Sequence, residues 1–252
     1  MVESGCDLLC ICPHSDDAEI ALGGTLRLLA DHGRRIWVCD LTRGELATNA
    51  DPQTRWTEAI AAGGVLGLAG RVQLELPDGW VDPASPAQVS AVIAVLRTLR
   101  PRWVVSAPVA HRHPDHLATP PLVQRACFLA RLAAHTAAAP PARWWPCPPA
   151  EPPAATWIPA VTGAVCPEQA EPDLLLDVST TWQAKRRALA CYASQFQRGP
   201  GRRPTAINDP EFMAAVEDLG RRWGRRAGVA WAEALQLAAV PVVTDLPDGQ
   251  WA

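Results

Sequence analysis

Four of the six histidines in this chain sit in two short polar stretches, with three aspartates beside them. One stretch reads Cys12-Pro13-His14-Ser15-Asp16-Asp17-Ala18-Glu19, the other His111-Arg112-His113-Pro114-Asp115-His116. Neutral imidazole and carboxylate are the donors that bind a catalytic zinc ion while leaving one coordination position to water. Two imidazoles and one carboxylate suit zinc or iron(II). Zinc brings the pKa of its water down to about 7, and a nearby carboxylate can then take the proton as general base. Adjacent aspartates can divide that labour, because neighbouring loop side chains diverge: one binds metal while the other faces the water. Each cluster alone is weak. A His-x-x-His pair is common, and Asp16, Asp17 and Glu19 would serve equally as the cap and first-turn charges of a helix. Their coincidence points to a metal site, provided the fold brings the two stretches together.

The surrounding pattern supplies such a fold. Asp7 to Cys12, Arg35 to Asp40, Arg71 to Leu76 and Arg102 to Ala107 are short apolar runs. Between them lie helical patterns: Glu19 to His32, closed by Gly33; a second running through Leu68; and a third from Pro86 to Arg100. Strands alternating with helices at this spacing make βαβ units and a parallel sheet covered on both faces. The expected class is α/β: a Rossmann-like, doubly wound, mostly parallel sheet with helices on both faces and a C-terminal helical and strand extension. In such sheets ligands bind outside the carboxyl ends of the strands, where both polar stretches fall. Ala137 to Pro167 breaks the pattern with a proline-rich, aperiodic excursion holding Trp144, Trp145 and Trp157. Beyond it, Asp173 to Val178 reads as a strand, Thr181 to Phe196 and Pro210 to Arg226 as helices, and Gly228 to Val243 closes the chain.

Composition narrows the function classes. The chain has 252 residues, of which 48% are hydrophobic and 19% charged, with a net charge of −3. That size fits a single domain over 1–252 carrying the 137–167 excursion. The near-neutral balance excludes a general electrostatic footprint for nucleic acid or membrane surfaces. The eight cysteines form no Cys-x-x-Cys pair, and most lie in apolar runs, as buried thiols in a reducing compartment do. No basic segment followed by an apolar core opens the chain, and no apolar run approaches 18 residues, so a cytoplasmic location is expected. A non-catalytic nucleotide-binding module is the alternative from another class, with Asp40 suited to a ribose. The turn after the first strand nevertheless lacks Gly-x-Gly-x-x-Gly and carries acidic groups that would repel a pyrophosphate.

Pro13-His14-Ser15-Asp16-Asp17-Ala18-Glu19 resembles the Pro-His-Pro-Asp-Asp-x-Glu signature of the LmbE-like (PIG-L) zinc deacetylases, and Arg112-His113-Pro114-Asp115-His116 resembles its partner motif. The likeness runs on through Asp40 to Leu46, Arg55-x-x-Glu58-Ala59 and Leu76-Pro77-Asp78. Late in the chain Ala190 to Phe196 and Ala227 to Glu233 most resemble the branch that deacetylates N-acetylglucosaminyl-malate in bacillithiol synthesis. The resemblance implies zinc, with iron(II) as alternative, held by His14, Asp17 and His116. It implies Asp16 as general base and His113 as the group that stabilises the oxyanion or protonates the leaving amine. Asp115 would orient and charge-support a motif histidine, Arg55 would contact sugar hydroxyls, and Tyr192 would reach the metal-bound intermediate. The implied substrate is a small N-acetylglucosamine conjugate, whether that malate glycoside or another such as a secondary metabolite. Members of the family often form hexamers or smaller homo-oligomers. Ser15 stands where the signature has proline, which loosens the loop but removes no ligand.

Overall fold

The computed structural model describes residues 5–108, 112–136, 141–150 and 153–238; His111 lies outside them. The first half runs β1 (Cys6–Cys12), α1 (Asp17–Asp31), β2 (Ile36–Thr42), α2 (Pro52–Leu66), β3 (Gly70–Leu76), α3 (Pro86–Leu99), β4 (Pro101–Ser106) and α4 (Pro114–Leu129). The second half adds β5 (Ala142–Trp145), β6 (Val161–Val165), β7 (Leu174–Asp177), α5 (Trp182–Cys191), α6 (Ala193–Phe196), α7 (Pro210–Ala227) and β8 (Ala232–Leu237).

All seven residues of β2 are buried, and so are all of β1 except Asp7. Strands covered on both faces need apolar side chains at consecutive positions, which is why these segments read as unbroken apolar runs. One eight-stranded sheet results, ordered β5-β3-β2-β1-β4-β6-β8-β7. The stretch β3-β2-β1-β4-β6 is parallel, while β5, β8 and β7 pair antiparallel at its flanks. Alternate residues of β1 serve the two faces: Leu9 and Ile11 pack with α3 and α4 residues such as Val92, Leu96 and Leu122. Leu8, Cys10 and Cys12 pack with Leu22 and Leu26 of α1, Ala62 of α2 and Ala188 of α5.

The winding reverses at β1. From it the chain moves through β2 to β3 on one side, then returns to place β4 on the other. A crevice opens at the carboxyl ends of strands where winding reverses. The segments leaving β1 and β4 there are the two histidine–aspartate stretches.

The 137–167 excursion is less irregular than its prolines imply. It contributes β5, paired with β3 through Ala142 to Trp145, and β6, paired with β4 through Val161 to Ala164. Both add to a sheet already formed, so neither needs its own strong alternation. The helix expected over 181–196 is two, broken at Tyr192 (φ −84°, ψ 59°). In the closing segment the strand is confined to Ala232–Leu237, and residues 239 onward lie outside the described ones. Among the described residues no helix is long and apolar enough to cross a membrane.

Candidate metal centre

The loop from β1 to α1 is pinned from the side. Thr42, ending β2, gives both its backbone N–H and its hydroxyl to the carbonyl of Pro13, each at 3.0 Å. His14 donates its backbone N–H to Asp17 Oδ2 at 2.9 Å, so ring and carboxylate emerge together. His14 Nδ1 then stands 3.3 Å from Asp17 Oδ2, and His116 Nε2 stands 3.3 Å from Asp17 Oδ1. A tetrahedral ion with bonds of about 2.0–2.1 Å needs ligand atoms about 3.3 Å apart. His14, Asp17 and His116 could therefore hold a divalent ion with little movement.

A second triad, His14, His113 and Asp115, is equally compact, with ligand atoms within 4.8 Å of one another. Its carboxylate is already engaged. Asp115 is fully buried and accepts the backbone N–H of Gly79 at 2.8 Å and of Val81 at 3.1 Å. On its far side the ring of His14 turns Nε2 toward Asp78 Oδ1 at 3.1 Å and Asp115 Oδ2 at 3.4 Å. A ring that donates one N–H to carboxylates keeps its other nitrogen aimed and basic, the usual arrangement behind a metal-binding histidine. The first triad is thus the better cation site.

Four carboxylates converge on these rings, and the titrations reflect it. Burial works against a charged His14, but the carboxylates of Asp115, Asp17 and Asp78 outweigh it and push the ring up to about 12. Burial also opposes ionisation of Asp17, yet His116 and His14 hold it well below the usual carboxylate range. Asp16 goes the other way. Burial, opposed by Arg55 and reinforced by the charge of Asp17, lifts its carboxyl to about 7. His113 is lowered by burial and by the neighbouring His14 and His116 rings. Its Nδ1 accepts the Asp115 backbone N–H at 3.3 Å, which makes Nε2 the protonated nitrogen of a neutral ring. One carboxyl near 7 that can take and return a proton and one neutral ring that donates a hydrogen bond stand beside the cation site. The arrangement can activate water and protonate a leaving group.

The PIG-L family, described as GlcNAc-PI de-N-acetylase, matches residues 9–127, which span both stretches. A conserved protein from Thermus thermophilus superposes with a TM-score of 0.79 at 30% identity, covering 98% of this chain and 100% of that one. The chain belongs to the PIG-L (LmbE-like) family. A curated relative is the 1D-myo-inositol 2-acetamido-2-deoxy-alpha-D-glucopyranoside deacetylase of Kineococcus radiotolerans. It is 29% identical over 162 residues, 49% of this chain and 45% of that protein. The chain spans about half the length of the curated relatives it matches. The 4-carboxy-2-hydroxymuconate hydratase of Pseudomonas putida also shares the fold (TM-score 0.71, 22% identity, covering 96% of this chain and 100% of that one). The PIG-L fold by itself therefore does not choose a reaction.

In this PIG-L chain His14, Asp16, Asp17, His113, Asp115 and His116 all gather at one sheet edge, and every one except Asp115 lines a cavity of about 640 Å3. Asp16 makes no capping hydrogen bond to α1; its carboxylate instead meets Arg55. Arg55 is buried, and its Nη2 donates to Asp16 Oδ2 and to the Ser15 carbonyl, both at 3.2 Å. It lines the cavity, with Nη2 taken up by Asp16 and Ser15 and Nε without a partner among the described residues. Tyr192 corrects the sequence expectation. It is fully enclosed in the core with Leu8, Cys10 and Ala188, outside the cavity wall. Its hydroxyl finds no hydrogen-bond partner among the described residues. The helix break at Tyr192 leaves its ring in the core.

Two contributors escape a reading of the sequence. Asp78 appears there only within the Leu76-Pro77-Asp78 likeness and is given no role, although it follows the third strand at the same sheet edge. Arg71 sits inside an apolar run; it is fully buried and clamps Asp40 with two bonds of 2.7 and 2.8 Å and Glu19 with one of 2.7 Å. A basic residue in a strand whose Val72, Leu74 and Leu76 mark it for the core is the available signal for it. The same clamp removes Asp40 from contention as a ribose partner.

Proposed function

We propose that the protein is a metal-dependent N-deacetylase of N-acetylglucosamine conjugates, with His14, Asp17 and His116 as metal ligands. What carries this reading is the 3.3 Å spacing of both histidines from Asp17, with Asp16 buried beside them. A bound divalent ion, zinc or iron(II), supplies Lewis-acid polarisation of the acetyl carbonyl and a more acidic water. Asp16 accepts the proton of the attacking water. Asp16 then passes that proton to the amine nitrogen as the C–N bond breaks, while the neutral His113 ring donates an Nε2–H hydrogen bond to the oxyanion, giving acetate and a glucosaminyl product. Asp78 and Asp115 hold the His14 ring, and Arg55 keeps Asp16 in place. The deacetylase relatives support an amide substrate, since their names place the same acetamido sugar in it. For the other half of the conjugate, the likeness of 190–196 and 227–233 favours malate, and a secondary-metabolite aglycone is the competing choice.

The test is acetate release from a panel of N-acetylglucosamine conjugates, with and without chelator, alongside metal analysis. Chelator should abolish release, and His14→Ala should lose metal and activity together. Asp16→Asn should keep its metal and lose about 10²–10⁴-fold in turnover, the usual weight of a general base. A His14→Ala protein that keeps both metal and turnover would overturn the ligand assignment.

A further inference from the structure

We propose that the cavity carries a second, apolar arm that receives an alkyl or aryl substituent of the substrate; this rests on the deacetylase reading above. The arm starts at the metal loops. Ile20 and Ala21 line it, one helical turn beyond Asp16 and Asp17 on α1. From there its wall passes to Cys166, just after β6, and to Phe212, Val216, Leu219 and Trp223 of α7.

Those four α7 residues fall at 212, 216, 219 and 223, the spacing of one stripe on a helix. Trp223 is buried against Cys166, Ala232 and Ala234. Phe212, Val216 and Leu219 are only half-buried: each borders the cavity, while Phe212 meets the Phe196 ring and Leu219 packs on the cluster of Trp223. An apolar helix stripe left facing a cleft that runs continuously to a reaction centre is wall for a ligand.

The charges around this arm are engaged with one another. Lys185 Nζ meets Glu233 at 2.7 Å, and the Glu233 carboxylate also accepts the backbone N–H groups of Gly24 and Thr25. Glu168 pairs with Arg222. A substituent bearing carboxylates, as malate does, finds no uncommitted cation among the α1, β6 and α7 residues lining the arm, since Arg112 lines the cavity only from the metal-loop end, and would lose its hydration. An apolar substituent loses nothing and removes hydrocarbon surface from water on both sides.

The substituent has two chemical sources: an N-acyl chain longer than acetyl, or an apolar aglycone. Both are separated by calorimetric affinity measured on Asp16→Asn protein, so the readout does not depend on turnover. One series lengthens the N-acyl group of methyl glucosaminide from acetyl to hexanoyl. The other lengthens the aglycone of N-acetylglucosaminide from methyl to hexyl. In one series Kd should fall by about fourfold per methylene over the first few carbons, the fold-change matching about 0.8 kcal/mol per buried CH2. Val216→Asp and, as a milder variant, Phe212→Ser in the same background should flatten that slope; slopes within one variant cancel any change in basal affinity. Flat slopes in both series overturn the proposal, as do slopes that neither substitution alters. Failure of the deacetylase reading shows separately, as absent acetate release by the unaltered protein.

Discussion

Asp16 and Arg55 show how a side chain's neighbour can change what its position in the sequence implies. Seen alone, Asp16 is a helix cap and Arg55 a helix-start residue free to contact sugar or solvent. Folded, they form a buried pair at 3.2 Å, while Glu58, three residues after Arg55, receives the N–H and hydroxyl of Ser194 at 2.7 and 2.6 Å. Arg55 opposes the upward push of burial on Asp16. Removing that positive charge raises the carboxyl further, so the acid side of the pH profile must move to higher pH. Arg55→Met should therefore shift the acid limb of kcat/KM upward by about 1 unit or more, with kcat falling more than KM rises. Arg55→Lys, which keeps the charge, should restore most of the limb. If the guanidinium chiefly reads sugar hydroxyls, KM rises by more than about tenfold, the loss of one or two charged hydrogen bonds, and the limb stays put. Kinetics on either side of neutral pH separate the two. The metal-loop residues are legible in the sequence because each is polar and follows closely on an apolar strand. Tyr192 is not, because nothing in its own segment marks which way a helix break will turn the ring.

Arg71 ties four elements into one buried unit beneath the reaction centre. From β3 it reaches Asp40 of β2, Glu19 of α1 and the Ala59 carbonyl of α2. Glu19 lies two residues after Asp17, so this contact fixes the first turn of the helix that carries Asp17. Buried ion pairs add little net stability when intact, but removing one partner strands the others and costs about 3–5 kcal/mol. Arg71→Met should lower urea-unfolding stability by that amount, and adding Asp40→Asn and Glu19→Gln should recover part of it. A loss below about 1 kcal/mol, the scale of a solvated surface pair, would mean that the two acids are held neutral by other means. The strands and helices themselves are readable from apolar runs and spacing, since burial on two faces writes itself into consecutive positions. β5 and β6 are not, because strands that join an existing sheet can be short and half-buried, and proline-rich surroundings hide them.

At the scale of the whole molecule the active end is a concentration of acidic groups assembled from the loops after β1, β3 and β4, and its balance depends on what cation it holds. In metal-free protein His14 is raised from 6.5 to about 12, so the native chain keeps a proton that the unfolded chain releases. The stability from that proton is whole below pH 6.5 and is lost as pH rises toward 12. Asp16, raised from 3.8 to about 7, acts in the same sense: stability falls between those two values as the native carboxyl is forced to ionise. Asp17, Asp78 and Asp115 are lowered, and their contribution is lost only when pH falls through the acid range. Metal-free protein should thus be most stable at mildly acidic pH. From about pH 6 to 8 its unfolding free energy should fall by at most about 1.4 kcal/mol per pH unit for each proton, and its Tm should fall with it. A divalent ion on His14 Nδ1 needs the lone pair that the proton occupies, so binding releases that proton and strengthens with pH. The increment in Tm on adding zinc should therefore grow over the same range while the metal-free Tm declines. Thermal melts in chelator and in zinc at each pH measure both trends. A metal-free Tm that is level over this range, with a zinc increment independent of pH, would mean that His14 is already neutral and that the carboxylates around it are balanced by some other charge.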